Sequence, residues 1–187
     1  MAIEIPKYKV IKKEANFEIR QYNTYITASV DVDEKNYNNA TNQGFRYLAD
    51  YIFGNNTKNS NISMTAPVLQ EEKSSYEKIA MTSPVSTAKS KNIYIISFVM
   101  PSKYTIETLP IPNNHKVVLT KVPSFKAAVI SFSGFVSEKI INQKTEELIK
   151  WVKQQKLNNS DQIQVARYNP PWTLWFLRRN EITMQLV

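Results

Sequence analysis

The chain of 187 residues suits one domain, or two small half-domains that share a core. It has no cysteine, a single histidine and three glycines, which excludes disulfides, thiolate and multi-histidine metal sites, and glycine-rich phosphate loops. The net charge of +8 comes from lysines spread along the chain, which indicates a basic surface rather than a nucleic-acid groove.

The first part of the chain shows strand patterns on both sides of one helix pattern. Residues rich in Val, Ile, Thr and aromatic side chains, bounded by turn residues, indicate strands. The predicted strands cover residues 7–13, 16–32, 62–70, 77–83 and 92–100. Pro67 and Pro84 mark the ends of the third and fourth of these strands, because proline cannot donate a hydrogen bond to a ladder.

Residues 34–54 have the pattern of an amphipathic helix. Apolar side chains recur every three or four positions along one face, which predicts that this face packs on the sheet. The residues of this face are Tyr37, Ala40, Gly44, Leu48 and Ile52. We expect Asp33 to cap the start of the helix and Gly54 to end it.

The second half repeats the order of the first after a proline-rich linker over residues 101–115. A helix is predicted over 137–157 with Ser137 as its N-cap. Strands are predicted over 116–122, 124–134, 162–168 and 181–187. We therefore predict an α+β fold: one domain over 1–187, with halves of about 1–100 and 116–187. A pseudo-two-fold duplicated antiparallel sheet would form a distorted β-barrel flanked by two main helices.

Two heptads, ISMTAPV at 62–68 and IAMTSPV at 79–85, repeat each other around Met64 and Met81. Two thioethers could bind copper or a heme iron. Methionine also fills irregular gaps in a core, and the solitary pair favours this packing interpretation.

The stretch ARYNPPWTLWFLRRNEI at 166–182 combines an aromatic wall with paired cations. Trp172 and Trp175 supply apolar area, and Arg178 and Arg179 supply positive charge. This combination suits a flat acidic aromatic ligand, and it equally suits a loop that its aromatic side chains fix to the core.

The sequence resembles the SOUL family of heme-binding proteins. The resemblance rests on NFEIRQYNTYITASV at 16–30, FGNN at 53–56, the two heptads, FVMPSKYTIETLPIPN at 98–113 and ARYNPPWTLWFLRRNEI. It implies a duplicated antiparallel barrel that binds heme or another tetrapyrrole in a shallow apolar groove beside the first helix. Some members of the family need no axial histidine, and basic side chains pair the propionates.

Carried onto this chain, the resemblance implies heme binding without an axial histidine, because no histidine precedes His115. Arg46 and Lys58 would pair the propionates, and Met64 could replace the missing ligand. Five residues would supply apolar contact. They are Phe45, Ala49, Phe53, Trp172 and Trp175.

Heme or porphyrin binding by a carrier, buffer or sensor is the predicted function. One alternative is an effector-binding module of the GyrI-like type, which takes aromatic or cationic molecules, although the net charge of +8 argues against cations. Another is a protein-interaction module that uses the two tryptophans. No nucleophile, base or metal cluster indicates an enzyme.

The chain is also expected to be a cytoplasmic monomer that binds no nucleic acid. Its first residues, MAIEIPKYKV, lack the basic and apolar regions of a signal peptide, and no apolar run is long enough to span a bilayer.

Overall fold

The computed structural model describes residues 4–34, 36–72, 93–169 and 172–187. Within these ranges the chain forms nine strands, two α-helices and one 3-10 turn. In chain order they are β1 (Tyr8–Glu14), β2 (Phe17–Tyr22), β3 (Tyr25–Asp33), α1 (Tyr37–Ile52), β4 (Val68–Glu72), β5 (Ile93–Val99), β6 (Val118–Val122), β7 (Phe125–Phe132), α2 (Glu138–Gln154), β8 (Asn159–Arg167), the 3-10 turn (Trp175–Leu177) and β9 (Asn180–Leu186).

All nine strands belong to one antiparallel sheet that curls into a half-barrel, in the order β1-β2-β7-β9-β8-β4-β5-β3-β6. Helix α1 packs on β3 and β5, and α2 packs on β7, β8 and β9. The strand registers place both helices on the same face of the sheet, which we call the outer face. The opposite face is the inner face. The predicted α+β fold with two flanking helices is confirmed.

The two halves of the sheet exchange their first strands. The segments β2-β3-α1-β4-β5 and β6-β7-α2-β8-β9 follow the same order, as predicted, but the single strand predicted over residues 16–32 is wrong, because a turn at residues 23–24 divides it into β2 and β3. In the sheet, however, β2 pairs with β7 of the second half, whereas β6 pairs with β3 of the first. The pairing of β4 with β8 joins the halves at the centre.

Helix α1 buries the predicted face: all five residues of the predicted stripe are buried. Gly44 is needed there because a Cβ would lie 2.5 Å from the Cβ of Ile96 on β5. The predicted cap is wrong. Asp33 ends β3, and the Asn36 side chain caps the helix by accepting from the backbone N–H groups of Asn38 and Asn39. Gly54 follows the helix with a φ of +121°, as expected of a helix end.

Strand β4 begins later than predicted. Residues 62–67 are an irregular connection, and only the part of the predicted strand from Val68 onward pairs with its neighbours. Pro67 therefore precedes β4, and the prediction that it ends a strand is wrong. Ile62 is buried and donates its N–H to the Ile52 carbonyl, while Met64 is 43% exposed. The packing interpretation is therefore wrong for Met64. The predicted strand at 77–83, with Met81, lies outside the described residues.

Helix α2 begins at its predicted cap. The Ser137 side chain accepts from the N–H of Ile140 at 3.4 Å, and Glu138 lies in the first turn, where the helix dipole favours negative charge. Leu148, Trp151 and Val152 are buried against the second half of the sheet.

A buried charged cluster on the inner face joins strands from both halves. Glu181 on β9 is fully buried and accepts hydrogen bonds from both terminal nitrogens of Arg20 on β2, at 2.8 and 2.9 Å. The same carboxylate accepts from Arg179 at 2.7 Å and from the Tyr168 hydroxyl at 2.8 Å. Arg20 also donates to Glu18 at 2.7 Å.

Arg20 and Glu181 both stay charged at neutral pH. Burial alone would raise the pKa of Glu181, but the hydrogen bonds and positive charges of Arg20 and Arg179 hold that pKa below its ordinary value. Burial opposes the charge on Arg20 in the same way, and Glu181 and Tyr22 raise its pKa nonetheless. Removing either side chain would leave the charge of the other buried and uncompensated, which strongly destabilises a fold.

We therefore expect Glu181→Gln to lower the free energy of unfolding by about 3–5 kcal/mol at neutral pH, as measured by urea denaturation. A carboxyl whose folded-state pKa is depressed stabilises the fold above its unfolded-state pKa of about 4.3. That contribution disappears as the pH falls through the folded-state pKa. The difference in the free energy of unfolding between the wild type and Glu181→Gln should therefore become smaller in acid.

Glu146→Gln is the matched control, because Glu146 is exposed on α2 and its loss should change stability by less than about 0.5 kcal/mol. Equal stability of the two variants at neutral pH would contradict the assigned role of the buried pair.

Candidate functional site

A groove of about 450 Å³ opens on the outer face beside the first half of α1. The residues just before α2 and just before β9 form its other side. Its volume lies within the range of small-molecule sites. The side chains that give it chemical character are Phe45, Val68, Phe135, Val136, Arg167 and Arg178. The remaining lining residues are glycine and uncharged polar side chains.

Aromatic side chains stand on two sides of the groove. Phe45 projects from α1 and meets Phe98 of β5 edge to face, with ring centroids 5.3 Å apart. Its ring is partly exposed, as expected for a side chain that borders an open groove. On the opposite side Phe135 stacks against Trp175, with centroids 6.3 Å apart and an interplanar angle of 16°. A flat apolar ligand would thus meet ring surfaces on two sides.

Backbone contacts hold the Phe135 side of the groove in place. The N–H of Gly134 donates to the Trp175 carbonyl at 3.0 Å, and the Asn180 side chain donates to the Gly134 carbonyl at 3.0 Å. Gly134 has a φ of +104°, a conformation that favours glycine. These bonds connect the residues before α2 to the 3-10 turn, so Phe135 and Trp175 form one unit.

The charged side chains on the described part of the groove wall are both positive. Among the described residues that line it, Arg167 and Arg178 are charged, and none is acidic. The Arg178 guanidinium lies 5.3 Å from the centroid of the Phe135 ring, and its Nε donates to the Thr173 carbonyl at 2.8 Å. An arginine that lines a groove can pair with an anionic ligand group.

Arg167 has the least satisfied charge of the groove. It ends β8, opposite Val68 of β4, and lies 5.1 Å from the centroid of the Tyr37 ring. Its Nε and Nη2 atoms are buried and have no hydrogen-bond partner among the described residues. Burial raises the pKa of Tyr37, and the positive charge of Arg167 opposes that rise. Polar atoms buried in this way usually find a partner, so a ligand or solvent oxygen is expected beside Arg167.

The structure brings only part of the predicted set to this groove. Phe45 lines it directly, and Trp175 supports it through Phe135. Arg46 and Ala49 follow Phe45 on α1 outside the lining, with Arg46 exposed.

The other four predicted residues lie farther along the surface and do not line the groove. Phe53 is 65% exposed just past the end of α1, and Met64 lies in the connection to β4. Lys58 donates from its Nζ to the Thr108 carbonyl at 3.3 Å. Trp172 is 82% exposed. Ligand contact by these residues stays a prediction.

Sequence reasoning missed Arg167 and did not separate Arg178 from Arg179. The stretch ARYNPPW contains Arg167 three positions before the first of its prolines, so the motif itself was a usable signal. Of the consecutive pair, Arg178 lines the groove, while Arg179 donates to the buried Glu181. The two arginines directly precede β9, and the extended backbone of Arg178 continues the alternation of the strand, so neighbouring side chains point to opposite faces.

Within the described ranges, no group of three or more His, Cys, Asp or Glu side chains could hold a metal ion. Neither helix has the length and apolar character that crossing a membrane requires.

The sequence matches the family description "SOUL heme-binding protein" over residues 3–185. The chain belongs to the SOUL heme-binding family. Two relatives share the name Heme-binding protein 2. The human protein is 28% identical and the mouse protein 26% identical, each over 196 residues that cover 98% of this chain and 90% of the relative. The family predicted from the sequence motifs is thereby confirmed.

The fold of this SOUL chain also occurs in a solved structure of low sequence identity. The C-terminal domain of EcmrR aligns with a TM-score of 0.63 at 11% identity, over 96% of this chain and 98% of that domain. At this identity the likeness shows the fold alone.

Proposed function

We propose that the outer-face groove binds heme or a related tetrapyrrole, and that the protein is a non-catalytic carrier, buffer or sensor of that ligand. The observation that carries the proposal is the pairing of apolar aromatic walls with two arginines and no acidic side chain among the described lining residues. A tetrapyrrole has a flat apolar ring and propionate carboxylates, and the groove presents a complementary surface to each part. Membership of the SOUL heme-binding family supports the same ligand class.

Within the groove, Arg167 and Arg178 would pair the propionates, since a guanidinium can donate two parallel hydrogen bonds to a carboxylate. Phe45, Phe135 and Val68 would contact the ring. The residues selected from the sequence, Arg46 and Lys58, would then act only as a more distant positive field.

Heme would contribute a redox-active iron when bound. The described lining residues of the groove include no His, Met, Cys or Tyr side chain that could act as an axial ligand. Binding without an axial histidine is therefore part of the proposal, with affinity coming from ring contact and propionate pairing. The proposed role is non-catalytic, in a cytoplasmic monomer that binds no nucleic acid.

Hemin and iron-free protoporphyrin IX should bind with affinities within about threefold of each other, because the iron receives no side chain from the groove. The measurement is a titration of the full chain, followed by the Soret band for hemin and by porphyrin fluorescence for protoporphyrin. No saturable change at micromolar ligand would refute the proposed function, and a strong preference for hemin would refute the absence of an axial ligand.

Arg167→Gln should weaken hemin binding about tenfold, because it removes the charged partner of a propionate and leaves an uncharged polar side chain. Lys150→Gln, an equal change of charge at an exposed position on α2, should leave the dissociation constant unchanged. Arg46→Gln separates the two assignments of the propionate partners. If Arg46→Gln weakens binding and Arg167→Gln does not, the sequence-based assignment is right and the groove-based one is wrong.

Trp175→Ala should weaken hemin binding about threefold to tenfold, because Trp175 backs the Phe135 ring that forms one wall. Trp172→Ala removes the same side chain from a position that does not line the groove and should change the dissociation constant less than about twofold. Equal losses in the two variants would show that the ligand reaches the exposed tip of the loop instead.

A further inference from the structure

The 3-10 turn before β9 presents apolar side chains that the fold does not bury. Leu174 and the three residues of the turn, which we call the apolar turn, are each more than half exposed, from 53% at Phe176 to 62% at Leu177. Trp172 on the same loop and Phe135 beside the turn are exposed as well. Single exposed hydrophobic side chains are common, but a group of neighbouring ones indicates a surface that meets an apolar partner.

The side chains of the apolar turn point in different directions. A 3-10 turn has three residues per turn, so consecutive side chains project about 120° apart around its axis. The rings of Trp175 and Phe176 accordingly lie at 85° to each other. A folded protein would cover one side of such a projection, whereas a lipid interface surrounds it. Tryptophan is also enriched where membrane and water meet, so the geometry favours a lipid surface over a protein partner.

Hydrogen bonds within the protein already engage much of the backbone of the apolar turn. The N–H of Leu177 donates to the Leu174 carbonyl at 2.9 Å. The Trp175 carbonyl accepts from the N–H of Gly134 at 3.0 Å and from that of Arg178 at 3.3 Å. A backbone group that loses its partner in an apolar medium destabilises the inserted state. These groups keep their partners inside the protein, so the turn can leave water without breaking those bonds.

The charge next to the apolar turn suits an anionic surface. Residues 167–180 contain three arginines and no acidic residue. Arg179 pairs with Glu181, whereas Arg167 and Arg178 line the groove beside the turn. The whole chain carries a net charge of +8. Anionic headgroups attract positive groups that come within about a Debye length of the membrane surface.

We propose that the apolar turn inserts into the headgroup region of an anionic membrane, as a peripheral contact in which the chain stays on one side of the bilayer. Leu174, Phe176 and Leu177 enter the interface, and Trp172 adds a further interfacial ring. Phe135 lines the groove and lies beside the turn, so the groove opens near the lipid surface. The proposal does not depend on which ligand the groove binds.

The test uses the full chain and vesicles of phosphatidylcholine, alone or with about 30% phosphatidylserine, at about 0.15 M salt. Flotation should recover at least about fivefold more protein with the anionic vesicles, and less as the salt concentration rises. Bromine atoms near the top of the acyl chains should quench the tryptophan fluorescence. No flotation with anionic vesicles would overturn the proposal in favour of a protein partner. Flotation without quenching would overturn insertion.

Leu174→Ser combined with Leu177→Ser should lower partitioning into the anionic vesicles about tenfold, since it removes two apolar side chains from the inserted surface. Neither leucine lines the groove. Retained partitioning in this variant would overturn the assignment of the turn.

Ile111→Ser combined with Val118→Ser is the matched control, because these two aliphatic side chains are similarly exposed and lie outside the loop before β9. It should partition within about twofold of the wild type. An equal loss in the control would contradict a role specific to the apolar turn. Near-ultraviolet circular dichroism checks that both variants fold. The flotation assay contains no hemin, so its outcome is separate from that of the proposed function.

Discussion

The register between β4 and β8 determines the chemistry on both faces of the sheet. Val68 pairs with Arg167, and three positions farther along β4, Glu71 pairs with Gln164. Side chains alternate between faces along a strand, so the first pair points to the outer-face groove and the second to the inner face. A slip of β8 by one residue would turn Arg167 to the inner face and Gln164 to the outer face.

This central pairing is also where the two halves of the chain meet. Each half lends its first strand to the other, so neither half completes its sheet alone. The Arg20–Glu181 ion pair also joins the two halves, because Arg20 lies on β2 of the first half and Glu181 on β9 of the second, with β7 between them. Strands distant in sequence are thus held by one compensated charge cluster, and the outer-face groove forms on that fixed framework.

The net charge of the chain does not describe the charge of the groove. The sequence carries a charge of +8, which disfavoured a cationic ligand at first sight. The lysines that produce it are spread over the surface, where solvent and salt screen them. Within the outer-face groove the field is set by the few charges that line it, Arg167 and Arg178, whereas Glu71 places a charge of the opposite sign on the inner face.

Local patterns in the sequence predicted the helices well. The strand order and the groove residues depend on pairing between distant segments, which limited their prediction. The Tyr37 to Ile52 stripe and the Ser137 cap depend on neighbours a few residues away, and both are found in the structure. The exchange of β2 and β6 depends on partners about 100 residues apart, which no local pattern encodes. The assignment of Arg46 rather than Arg167 to the groove has the same origin. Helix phase identifies Phe45 as a groove residue, but only the pairing of β8 with β4 brings Arg167 to the opposite wall.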